Sequence, residues 1–343
     1  MKTFRKRLAS LSLAMVLCLS LAACGGNGET TSEGEDQAST ETTVLKLGHV
    51  FGSSAPINIA LETMAEEVYE KTEGRYKIEL YPSSALGGES DLIEGVQIGT
   101  VDMVYTASTP LANSVPKLAA LDLPYLINDY EHADAVFFDP NSSVRATLMG
   151  YIDDAGYKTL TLVENGFRQL MGNKEVTSLA DMKGMKIRVM ENPLHIELWE
   201  SLGASPTPMS ASECMTGLQQ GTVDAVEMFY SVCISNGFHE LCDYYAGTNH
   251  IYTCGVLMMN AGIWENMTDE DKAVFDAASL TVAETTNAQL RAEDQAHLDT
   301  IIEGYAKAYH ELDQAELQAA VEGMYDNHPE YADIVAEIKS LAK

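Results

Sequence analysis

Between residue 24 and the C-terminus the chain carries five arginines, at positions 75, 145, 168, 188 and 291, among a total of 51 aspartates and glutamates. Two of them stand where a cation is out of keeping with its neighbours. Arg188 lies inside the apolar run Met185-Lys186-Ile187-Arg188-Val189-Met190, and Arg168 follows Asn165-Gly166-Phe167 at the start of another β-type run. A guanidinium placed among apolar side chains needs an anion. Its planar fork of N–H donors fits a carboxylate through two parallel hydrogen bonds. That carboxylate belongs either to one of the chain's own acids or to a ligand, and the residues alone do not choose between them.

Other chemistry finds no footing. There is no G-x-S-x-G, phosphate-binding loop, G-x-G-x-x-G or H-E-x-x-H, and the eight histidines are scattered without ligand spacing, so no metal and no cofactor is expected. Cys214 follows Glu213 with no feature that would hold a thiolate, and it reads as a core cysteine. With Cys233, Cys242 and Cys254 it fits neither C-x-x-C nor a zinc pattern. Three full pairings and free buried thiols all stay open. An enzyme is not expected.

The elements that must position the arginines read as strand-helix alternation. β-type runs at Val44–Val50, Tyr76–Tyr81 and Asp102–Thr106 alternate with helical patterns at Ile57–Lys71 and Glu89–Ile98. The same grammar resumes with strands at Thr159–Val163, Arg168–Gly172, Lys186–Met190 and Val223–Met228, and helices at Pro193–Leu202 and Ala211–Gln220. This predicts an α/β fold with crossover helices. Ser210 and Glu213 have capping-box spacing.

A short echo divides the pattern in two. Gln97-Ile98-Gly99-Thr100-Val101-Asp102-Met103-Val104 matches Gln219-Gln220-Gly221-Thr222-Val223-Asp224-Ala225-Val226 at six of eight positions. Each copy ends a helix at glycine and begins an apolar strand, which predicts two similar lobes. The strand-like Ile251–Asn260 is placed to cross between them. From Thr268 to about Leu312 a helical stretch either breaks at Gly304 or runs along both lobes, and helices follow at Gln314–Asn327 and Glu330–Ala342.

The N-terminus has the form of an export signal: four cations within Met1–Arg7, an apolar run from Leu8 to Leu21, then Leu21-Ala22-Ala23-Cys24-Gly25. That predicts a signal peptide at 1–23 and a lipidated Cys24. Residues 24–43, polar and small, read as a flexible tether reaching about 2 nm. Loss of the four signal cations takes the formal charge from −30 to −34, a field that repels nucleic acid and anionic lipid.

From Val44 to the C-terminal helices the chain resembles the DctP family, the solute receptors of tripartite ATP-independent periplasmic (TRAP) transporters. The matching stretches include Leu45-Lys46-Leu47-Gly48-His49, Tyr81-Pro82-Ser83-Ser84-Ala85-Leu86-Gly87-Gly88-Glu89 and Glu94-Gly95-Val96-Gln97-Ile98-Gly99-Thr100-Val101-Asp102-Met103. Asp181-Met182-Lys183-Gly184-Met185-Lys186-Ile187-Arg188-Val189, Leu202-Gly203-Ala204-Ser205-Pro206-Thr207-Pro208-Met209 and Thr248-Asn249-His250 follow in family order.

The resemblance implies a two-lobed periplasmic-binding-protein-like fold with crossing hinge strands and a long C-terminal helix spanning both lobes. Lobe I would comprise 44–164 with part of 254–290, and lobe II 165–253 with part of 291–343. It implies a monomer that closes on a small organic acid and delivers it to the TRAP permease subunits, held by its lipid at the outer face of the cytoplasmic membrane. A sensory subunit for a similar acid is the alternative. Arg188 would receive the carboxylate and Arg168 assist, with Glu89 and His49 as further contacts. Where the family often has Asn after the Asp-Gly-x-Glu motif this chain has Met228, and Glu191 or Asn192 would supply the polar contacts so lost. The substitution favours a less hydroxylated acid.

Overall fold

The computed structural model describes residues 42–343; the signal peptide, Cys24 and nearly all of the tether lie outside that range. Among the described residues the strands are β1 (Thr43–Gly48), β2 (Tyr76–Tyr81), β3 (Met103–Ala107), β4 (Tyr157–Phe167), β5 (Gln169–Gly172), β6 (Lys186–Val189), β7 (Ser205–Pro208), β8 (Ala225–Met228), β9 (Tyr244–Gly247), β10 (Tyr252–Asn260) and β11 (Ala308–Glu311). They form two sheets, in the orders β2-β1-β3-β10-β4 and β11-β9-β5-β8-β6-β7. β1 pairs in parallel with β2 and β3, and β6 with β7 and β8. Parallel neighbours need crossover helices, which the alternating sequence supplies. β7 carries Pro206 and Pro208 at the outer edge of its sheet, where a missing N–H costs no ladder bond.

The chain passes between the sheets three times, twice through short crossings and once along the helix Asp269–Gly304 that leads from β10 to β11. β4 belongs to the first sheet and β5 to the second, with Arg168 alone between them. The return runs from β9 through Thr248–Ile251 into β10. The two crossings are clasped where the Arg168 N–H donates to the Ile251 carbonyl at 2.9 Å. The strand read at Arg168–Gly172 therefore begins one residue later, and Arg168 occupies the crossing itself.

The sequence echo is a structural repeat. Gly99 and Gly221 both adopt left-handed backbone, with φ of 78° and 68°. The N–H groups of Thr100 and Val101 reach back to the Gly95 carbonyl, and those of Thr222 and Val223 to the Gly217 carbonyl. Asp102 then bonds the backbone of Lys46 and Asp224 that of Lys186 in the same manner. Each repeat thus fixes its third strand beside its first.

The helix Asp269–Gly304 runs unbroken for 36 residues and stops at Gly304. The Thr268 side chain caps it by accepting from Asp271 N–H at 3.1 Å, and three acids occupy its positive first turn. It packs on the helix Pro56–Lys71 and on β4, and further along on the short helix Tyr230–Ser235, so it touches elements that carry both sheets. Two arginines are engaged in structural pairs here: Arg75 with Asp271 at 2.7 Å, and Arg291 with Asp134 at 2.7 Å and with Glu164. The expected helix Gln314–Asn327 is two, Gln314–Val321 and Gly323–Asn327, and the last helix starts at Ala332. Cys214, Cys233, Cys242 and Cys254 are all buried and free.

Candidate functional site

In β6, Ile187 and Val189 point to one face and Arg188 to the other, as strand alternation requires. Arg188 opens onto a cavity between the two sheets of about 500 Å³, counting its mouth. The side chain is only 5% exposed. Its Nε donates to the Met209 carbonyl at 2.9 Å. Nη1 and Nη2 have no hydrogen-bond partner, and no carboxylate lies within 4.0 Å, among the described residues.

Arg168 lines the same cavity in a different state. Its Nε pairs with Glu227 Oε2 and its Nη2 donates to the Glu227 carbonyl at 2.6 Å. The Phe229 ring lies 4.8 Å from its guanidinium carbon. Glu227, at the third position of β8, is wholly buried. Burial opposes its ionisation, but the Arg168 charge and the imidazoles of His195 and His250 hold its carboxyl well below the usual range. The chain of contacts continues from His195 to Asp122 at 3.2 Å and from Asp122 to Thr109 at 2.6 Å. A buried network therefore runs from β8 in the second sheet to the short helix Ser108–Leu111 that follows β3.

Glu89 enters from the opposite side, at the first turn of the helix Glu89–Ile98. Its Oε1 accepts from Ala107 N–H at 2.8 Å and from the Thr106 hydroxyl at 3.1 Å, leaving Oε2 without a partner among the described residues. Burial raises its pKa, while those two bonds and the charges of Arg188 and Arg168 act against the rise. The remaining wall is apolar. Val50, Phe51 and Ala107 supply it from the first lobe, and Met190, Met228, Phe229, Val232 and Phe238 from the second. Cys214 adds a thiol whose pKa burial pushes up, the opposite of an activated nucleophile.

Arg188, Arg168, Glu89 and Met228 thus meet in one cavity. The other expected residues do not join them. His49 is fully buried one layer behind, its Nε2 3.2 Å from Asn58 Oδ1. The Asn192 side chain caps the helix Pro193–Ser201 by accepting from Leu194 N–H at 2.8 Å, and donates to Asp122 at 3.0 Å and to the Thr109 carbonyl at 3.1 Å. Its polar capacity is taken up by the fold. Glu191 is exposed, and its carbonyl accepts from Asn113 at 2.7 Å across the lobes. No polar group from this segment replaces what Met228 lacks.

One cavity residue carried no sequence signal. Asn236 follows the helix Tyr230–Ser235 and reads as a turn residue before Gly237. In the structure it ties the lobes together: its Oδ1 accepts from Gly52 N–H at 2.7 Å and its Nδ2 donates to the Val50 carbonyl at 3.2 Å. A Cβ at Gly52 would overlap the carbonyl of Ser235, so only glycine permits this approach. Behind the crossings lies a second cleft of about 880 Å³, lined by Tyr125, Tyr130, Phe167, Asn249 and Asp294. It has acids and no cation in its walls, so it offers a carboxylate no charge partner.

Comparisons with known proteins agree with this architecture. The solute-binding protein of Verminephrobacter eiseniae is 35% identical over 253 residues, covering 74% of this chain and 75% of that one. The 2,3-diketo-L-gulonate-binding periplasmic protein YiaO of Escherichia coli is 31% identical over 265 residues, covering 77% and 79%. The crystal structure of a TRAP periplasmic solute-binding protein from Polaromonas sp. JS666, bound to D-erythronate, superposes with a TM-score of 0.84 at 32% identity, over 88% of this chain and 100% of that one. With residues 47–333 matching the model of the DctP bacterial extracellular solute-binding proteins, family 7, the chain belongs to that family.

Proposed function

We propose that the chain is the extracytoplasmic receptor of a TRAP transporter, taking a small organic acid into the cavity between its lobes and delivering it to the membrane permease subunits. The observation that carries this reading is Arg188, a buried guanidinium with two unpartnered Nη groups facing a cavity. Such a cation is costly until an anion completes it, and a carboxylate matches its fork. Relatives support the same chemistry: D-erythronate in the Polaromonas protein and 2,3-diketo-L-gulonate in the name of the E. coli one are both carboxylates.

In this reading Arg188 receives the carboxylate, Arg168 assists through its free Nη1, and Glu89 and Met228 meet the rest of the ligand. Lobe I, residues 44–164 with part of 254–290, and lobe II, residues 165–253 with part of 291–343, turn about Arg168 and Thr248–Ile251. Closure expels water, which strengthens the charge pair, and the permease recognises the closed form. The receptor is a monomer without catalytic activity, held to the membrane by a lipid on Cys24. Thermal unfolding of the purified protein across a panel of organic acids tests the site, because a ligand that binds only the folded state raises Tm. A carboxylate-specific rise that disappears in Arg188→Ala is expected. A rise from neutral compounds that ignores Arg188 would overturn the reading.

A further inference from the structure

The cavity's polar groups are few enough to count, and their existing bonds fix what a ligand can still satisfy. Asn236 is mostly engaged, with Oδ1 accepting from Gly52 and Ser235 and Nδ2 donating to Val50, and keeps one N–H. Arg168 has one free terminal nitrogen, Arg188 has two, and Glu89 has one free carboxylate oxygen. Three guanidinium nitrogens on the cavity wall are therefore open to an anion, with a single free side-chain carboxylate oxygen, on Glu89, as acceptor. The other side chains a ligand meets are carbon or sulfur, chiefly those of Phe51, Met190, Met228, Phe229, Val232 and Phe238.

A polyhydroxylated acid closed into this space would leave several hydroxyls without partners, each at about 1–3 kcal/mol. An acid with an apolar body would instead cover the rings and thioethers. We infer that the ligand is a monocarboxylate with a branched aliphatic or aromatic body and a single hydroxyl: the carboxylate on Arg188 and Arg168, the hydroxyl donating to Glu89, the body against Met228 and the three phenylalanines. Met228 and Glu89 are the residues that set this preference. The inference rests on the carboxylate reading of the preceding subsection and goes on to name the class of acid.

Isothermal titration of the purified protein tests it with phenyllactate, 2-hydroxyisocaproate, their deoxy counterparts phenylpropionate and isocaproate, galactonate and succinate. One of the two hydroxy acids is expected to bind at least about a hundredfold tighter than galactonate or succinate, which is ~2.7 kcal/mol. Its deoxy counterpart should lose about tenfold in the wild type and little in Glu89→Gln, where the acceptor is weakened. Met228→Asn, which restores an amide to the wall, should narrow the gap to galactonate. Tighter binding of galactonate or succinate, still abolished by Arg188→Ala, overturns the ligand class and leaves the carboxylate reading standing. Binding of none of these acids, or binding that survives Arg188→Ala, overturns both.

Discussion

His49 stands one layer behind the cavity, where its backbone accepts from Ser84 N–H and its ring meets Asn58, so that it shapes the loop carrying Val50 and Phe51. Burial pushes its pKa down to about 4, against the smaller opposing effect of its hydrogen bonds. The folded protein therefore keeps this imidazole neutral at pH values where the unfolded chain, with a histidine pKa of about 6.5, takes up a proton. Between those values the unfolded state binds more protons, and stability falls as the pH drops from about 6.5 toward 4, by a total of about 3 kcal/mol. Urea unfolding of wild type and His49→Gln at a series of pH values checks this. The glutamine keeps a partner for Asn58 without titrating, so its curve should be flatter over this interval; an unchanged slope would place the titration elsewhere.

At the scale of elements, the loop after β1 and the helix Tyr230–Ser235 meet edge to edge at Gly52 and Asn236. A methyl group at Gly52 would strike the Ser235 carbonyl, a backbone atom that cannot swing aside. Gly52→Ala should therefore hold the lobes apart: affinity for the acid falls at least about tenfold, while Tm without ligand stays within about 2 °C of wild type. Wild-type affinity in that variant would show that closure does not bring these elements so near.

Much of this frame was legible in the sequence, because glycine stops and apolar strands state their own geometry: the paired turns at Gly99 and Gly221 follow from residue type, while the end of the long helix, left open between Gly304 and a longer run, falls at Gly304. Arg188 was legible for the same reason, as a cation in an apolar strand. Asn192 was misread because a helix-capping side chain and a ligand contact look alike; the Pro193 after it is the signal for a cap. Asn236 was invisible because it comes from the turn after a short helix, and its partners Gly52 and Val50 lie almost two hundred residues away in sequence.

The whole molecule is strongly acidic, with a net charge of −30, yet the anion it is proposed to hold sits against Arg188, a guanidinium with no carboxylate partner among the described residues. If residues 24–43 act as the expected tether, they would let so acidic a body stand clear of an anionic bilayer with a lipid on Cys24 inserted. Cys24→Ser should therefore move the protein from the membrane fraction to the soluble fraction without altering its affinity for acids, as fractionation of the producing cells would read directly. Retention of the serine variant on membranes would remove Cys24 as the anchor.

Asn236 lines the cavity and also bonds Gly52 and Val50 across the lobes, whereas Met228, Met190 and Phe238 line it with side chains that make no hydrogen bond to either lobe. The vocabulary of accepted molecules can thus drift by one wall residue at a time, and the message that the receptor is loaded keeps the same form. A receptor of this design is a general-purpose announcer whose subject can be rewritten without retraining its listener.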